Sequence, residues 1–122
     1  MIIKRLDEKI ELTPLNCEKY KKHLIRYEEI DNFGYHWTFD VGNNRGLSVL
    51  KQFGSWGWMC DLFEVAIIGI NNEYIKINPI GNCEHDEVLE YLDYLLANEG
   101  RVYSLWPAKK EYLRKQRENK YE

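Results

Sequence analysis

Cys83-Glu84-His85 sets two metal-ligating side chains two residues apart, and Cys17, Cys60, His23 and His36 are further ligand types elsewhere in the chain. A structural zinc site draws on four ligands, usually in two close pairs of the C-x₂₋₄-C or H-x₃₋₅-H kind. Only one short pair exists here, so ordinary loop residues are the better reading and no metal ligand is assigned. Gly54-Ser55-Trp56-Gly57 invites comparison with a nucleophile elbow, but the G-x-S-x-G spacing is missing and no helical pattern follows. Glu64 stands alone in an apolar run. It reads as a structural carboxylate, at an edge or paired with Arg45 or Lys51, more than as an acid with a raised pKa. No residue is assigned a catalytic role, no cofactor is implied, and the chain does not read as an enzyme.

Three groups of residues point instead to contact. Trp56, Trp58 and Met59 sit among glycines between two apolar runs, where bulky side chains either fold back into the core or stand out as anchors. Glu84, Asp86 and Glu87 cluster where a helix should begin. They suit the positive end of its dipole and also form a possible acidic contact surface. Lys109, Lys110, Arg114, Lys115 and Arg117 make the C-terminal segment basic, as a helix docked on an acidic body or as a phosphate-binding stretch. Residues 1–99 hold 10 Lys and Arg against 17 Asp and Glu, net −7, whereas residues 100–122 hold 7 against 3, net +4.

The elements that must position these groups follow from periodicity. Residues 2–6 and 9–12 suit short strands. Thr13-Pro14 suits a helix start, and Cys17, Tyr20, Leu24 and Tyr27 recur at helical spacing up to Asn32 and Gly34. From Tyr35 to Val41 the chain alternates, with Tyr35, Trp37, Phe39 and Val41 on one face and His36, Thr38 and Asp40 on the other. Gly42 to Gly46 is a turn rich in residues that tolerate positive φ, and Leu47 to Phe53 is a second strand. Leu62 to Ile70, apolar on both faces except Glu64, suits the central strand of the sheet. Asn71-Asn72 suits a turn and Tyr74 to Ile77 a further strand, with Pro79, Gly81 and Asn82 breaking the chain after it. Asp86 is the expected N-cap of a helix from Glu87 to Asn98, stopped by Gly100. Val102 to Trp106 suits a short strand, and Pro107 opens a last, charged helix. The expected class is α+β: an antiparallel sheet of four to six strands with two or three helices mainly on one face. Residues 1–106 would form one domain, with 107–122 as a basic helix or tail.

The whole chain has 122 residues, 44% hydrophobic and 14% aromatic, which suffices for one core. Its longest apolar run is far short of the about 20 residues a membrane span needs, and the start lacks a signal-peptide pattern, so a cytoplasmic protein is expected. Three cysteines, an odd number without C-x-x-C spacing, read as free thiols.

The run Leu47-Ser48-Val49-Leu50-Lys51-Gln52-Phe53-Gly54-Ser55-Trp56-Gly57, then Asp61-Leu62-Phe63-Glu64-Val65-Ala66-Ile67, then Asp86-Glu87-Val88-Leu89-Glu90-Tyr91-Leu92, resembles small uncharacterised phage and prophage proteins of Gram-positive bacteria. The resemblance spans residues 47–99 and implies a phage origin, with no catalytic residues to carry over. By analogy of size and charge with anti-CRISPR proteins, it suggests a stoichiometric inhibitor of a host or defence nuclease, acting by protein–protein contact through Trp56, Trp58, Met59, Glu84, Asp86 and Glu87. Two alternatives stand beside it: a nucleic-acid-binding accessory protein acting through the basic tail, and a small zinc protein using Cys83 and His85.

Overall fold

Asn43 and Asn44 carry φ of 55° and 59°, the paired left-handed conformations that a two-residue hairpin turn demands, and asparagine tolerates them well. They join β3 (Gly34–Gly42) to β4 (Arg45–Gln52), the two middle strands of the sheet. The computed structural model describes residues 2–3, 15–30, 34–52, 62–70 and 76–120. Within these, the sheet runs in chain order as an antiparallel meander: β1 (Ile2–Ile3), β2 (Leu24–Ile30), β3, β4, β5 (Phe63–Gly69) and β6 (Lys76–Cys83). A 3-10 turn spans Glu18–His23, and two helices close the chain, α1 (His85–Ala97) and α2 (Trp106–Lys120). The class is α+β.

The register sorts side chains by face. Tyr27 opposes Trp37, Trp37 opposes Val49, and Val49 opposes Val65; Phe39, Leu47 and Ile67 form the next row. All seven are buried and join Val88, Tyr91, Leu92 and Leu95 of α1 in one core. Trp37 anchors the aromatic part, stacked on Tyr35 with ring centres 5.8 Å apart and tilted against Tyr27 and Phe63. The opposite face carries Arg26, Glu28, His36, Thr38, Ser48, Leu50, Glu64 and Ala66.

Several expectations are corrected. The helical spacing of Cys17, Tyr20, Leu24 and Tyr27 yields a short 3-10 segment, Glu18–His23, and then a strand. The cause is a bulge in β2: Leu24 pairs with Phe39 and Arg26 with Thr38, so one extra residue is accommodated at Ile25. Leu24 and Tyr27, three apart, would face opposite ways in a regular strand. The bulge returns both to the core side, which imitates a helical repeat. Leu62 to Ile70 supplies β5, which lies between β4 and the edge strand β6 and is not the middle strand. Pro79, Gly81 and Asn82 do not end β6. Two register shifts against β5 absorb them, and Pro79 is tolerated because, among the described residues, β6 pairs on one side only. Residues 101–105 form no strand. Residues 9–12 and the Asn71-Asn72 turn lie outside the described residues.

α1 begins two residues earlier than expected, with Glu84 and not Asp86 at the N-cap; the Glu87 carboxylate accepts the Glu84 N–H at 3.4 Å. Its far end turns back through Gly100, φ 71°, whose N–H reaches the Leu95 carbonyl at 2.9 Å. There the backbone of Glu99-Gly100 lies directly against Gly42: a Cβ on Gly42 would stand 2.9 Å from the Glu99 carbonyl oxygen. The Asn43 side-chain amide also donates to that oxygen at 2.5 Å. The β3–β4 hairpin is thereby tied to the end of α1. Among the described residues, no helix is long and apolar enough to cross a membrane.

Candidate functional site

Ala108 and Tyr112 bury one side of α2, with Leu105 buried just before it. Lys109 reaches from that side to Glu87 of α1, Nζ to Oε2 at 2.7 Å, and Lys115 reaches Glu90 at 2.9 Å. The Tyr112 hydroxyl donates to Glu84 at 2.5 Å. The basic segment is thus spent partly on the acidic residues of α1. Arg114 is engaged by Glu111 and Glu118 of its own helix, which lift its pKa further above the ordinary guanidinium value, and Arg114 in turn lowers that of Glu111. Of the five tail cations singled out by type, Lys110 and Arg117 pair with no described carboxylate.

These two lie beside the most exposed apolar side chains of α2. Trp106 is 59% exposed and Leu113 42%. Positions 106, 110, 113 and 117 follow the 4-3-4 spacing that keeps residues on one helix face. Trp106, Lys110, Leu113, Arg114 and Arg117 line one groove with Pro107, Glu111 and Gln116. Tyr103, 72% exposed, precedes it and packs its ring beneath the Arg45 guanidinium. Sequence reading missed Trp106 and Leu113. Their signal was a Trp and a Leu seven apart in a segment otherwise rich in charge.

Of the acidic residues assigned to partner contact, Glu84 and Asp86 are exposed and Glu87 is turned inward. Glu87 is 2% exposed and accepts the Tyr91 hydroxyl at 2.5 Å and Lys109 at 2.7 Å. Glu84 is occupied by Tyr112, and only Asp86, beside His85 at 3.1 Å, faces solvent fully. Trp56, Trp58 and Met59 lie outside the described residues.

Cys83 is buried, and its thiol, pushed well above its ordinary value by burial, donates to the Ile80 carbonyl at 3.5 Å. His85 Nε2 accepts the Asn16 N–H at 2.8 Å, so its proton sits on Nδ1, facing Asp86. Both side chains that the zinc alternative would use are therefore committed within the chain. Among the described residues, no three His, Cys, Asp or Glu side chains gather as a metal set.

The sheet face opposite α1 holds a group that no sequence motif announced. His36 Nε2 lies 2.8 Å from Ser48 Oγ, and His36 Nδ1 lies 3.6 Å from Glu28 Oε2. Glu28 is buried and also receives Arg26 at 3.5 Å. Burial lowers the His36 pKa, with Glu28 opposing that shift. Glu64, on the same face, stands across from Leu50 and away from Lys51, whose ammonium lies over the Phe63 ring on the core side.

No family model, curated protein or solved structure matches this chain.

Proposed function

We propose that this protein is a binding module whose outer α2 face captures an acidic, partly apolar surface of another protein. The observation that carries this reading is the exposed Trp106–Leu113 pair flanked by Lys110 and Arg117. Tryptophan and arginine are the residues most enriched at interface hot spots, and the flanking cations select against basic partners. An inhibitor of a host or defence nuclease, as the phage resemblance suggests, is one form of such a module. Nucleic acid is the less favoured partner. Lys109, Lys115 and Arg114 are neutralised within the chain, leaving few charges to displace counterions.

A photo-crosslinking residue at position 110 in otherwise intact protein, expressed in a bacterial host, should trap one protein whose contact peptide is acidic. Trp106→Ala should weaken binding of that purified partner by about 2 kcal/mol, roughly 30-fold. Lys110→Glu with Arg117→Glu should slow association more than it speeds release. A crosslink to nucleic acid alone, or unchanged affinity in Trp106→Ala, would overturn the reading.

A further inference from the structure

We infer that Glu28, His36 and Ser48 form an acid–base–nucleophile relay in which Ser48 Oγ is acylated by small activated carboxylic esters. The three come from three adjacent strands. β3 presents His36 between Glu28 of β2 and Ser48 of β4, with Glu28 paired directly to His36 in the register and Ser48 on its diagonal. Nucleophile, base and orienting carboxylate thus stand in the order that activates a hydroxyl. The contact that matters for deprotonation, Nε2 to Oγ, is already 2.8 Å. The longer 3.6 Å contact to Glu28 lies where attraction grows once the imidazole takes up a proton. Arg26 Nε lies 3.5 Å from the other Glu28 oxygen and pairs with it.

Burial favours a neutral His36 at neutral pH, the form that accepts a proton. The described ionisable groups that share its face are Glu28 and Arg26 from β2 and Glu64 from β5, across Leu50, and β4 adds the Ser48 hydroxyl. Ser48 is half-buried, and its neighbours in the register, Thr38 and Ala66, are small, which suits a short acyl group.

In the acylation step, Ser48 Oγ bonds to the ester carbonyl carbon while its proton passes to His36 Nε2. The tetrahedral adduct then expels the alcohol, which leaves with that proton. Water attacks the acyl-Ser48 with the same base and releases the carboxylic acid. β4 is paired on both sides, so its own amides are committed to the ladder and offer no ready oxyanion site. Esters with good leaving groups are therefore the expected substrates.

The intact protein is treated with a fluorophosphonate and separately with p-nitrophenyl acetate, and the modified residue is mapped by mass spectrometry. One adduct at Ser48 is expected, together with a burst of one equivalent of p-nitrophenol. His36→Ala should react about 100-fold more slowly. Glu28, a positioning residue, is tested by Glu28→Gln. Without the carboxylate, the acid limb of the labelling rate should move to lower pH, a change that a purely structural role would not produce. Labelling of Ser48 no faster than in heat-denatured protein, or an equal rate in His36→Gln, overturns the relay. If these variants fail to fold, the wild-type comparison with denatured protein decides alone. The experiment does not touch α2, so its failure leaves the binding reading standing.

Discussion

Glu87 is a single carboxylate on which two helices depend. It is buried, accepts the Tyr91 hydroxyl and Lys109, and closes the first turn of α1. Glu87→Ala should cost about 2–3 kcal/mol, less than a fully buried pair because Lys109 is partly exposed to water. Glu87→Gln keeps the shape and should cost roughly half of that. Urea unfolding of the two variants measures both. The thiols give a second prediction at this scale. Burial pushes Cys17 up to about 11 and raises Cys83 as well, so neither carries thiolate near neutrality. Iodoacetamide at pH 8, mapped residue by residue, should leave both unmodified in native protein and modify both in urea. The inward turn of Glu87 could not be read from Glu84-Asp86-Glu87 as a string. Which acidic residue of a first turn is buried depends on what α2 lays across it.

At the scale of elements, the closest backbone approach joins the β3–β4 hairpin to the end of α1. Gly100 combines φ 71° with Gly42 and Arg45 in the space a side chain would need. Gly100→Ala should therefore lower stability by about 1–3 kcal/mol through strain and displacement. The expected signature is faster amide exchange at both Asn43-Asn44 and the last turn of α1, since the substitution separates the two. The hairpin itself was legible, because alternation around Gly42 to Gly46 leaves few other conformations. β2 was not legible. Its bulge at Ile25 places Leu24 and Tyr27 on one side, and spacing alone cannot separate that from a helix. The misreading also concealed the relay, since Glu28 meets His36 only if residues 24–30 are a strand paired with β3.

At the scale of the molecule, titration sets the limits of stability. His36 has a folded pKa below its ordinary 6.5, so the unfolded chain binds the proton more tightly. Its contribution is present above that value and is lost as pH falls below it. Cys17 is the reverse case: raised from 9.0 to about 11, it contributes fully below pH 9 and loses that contribution as pH rises towards 11. The melting temperature should accordingly plateau between these limits and fall on either side. His36→Gln should flatten the acid limb and leave the alkaline limb in place. The charge asymmetry of the chain, acidic body against basic end, is also resolved at this scale: Lys109 and Lys115 of α2 reach Glu87 and Glu90 of α1.

The sequence alone determined the α+β class, the strands around the Asn43-Asn44 turn, the two late helices and the basic character of the second. Each of these depends on local periodicity or on residues suited to one backbone conformation. Only the tertiary structure decided that β2 is a strand and that Glu87 is an internal anchor. It alone brought Ser48 to His36 and turned Trp106 and Leu113 outward. Register, bulges and helix docking bring together residues that lie 8 to 28 positions apart or more, and a window that reads one element at a time has no access to those distances.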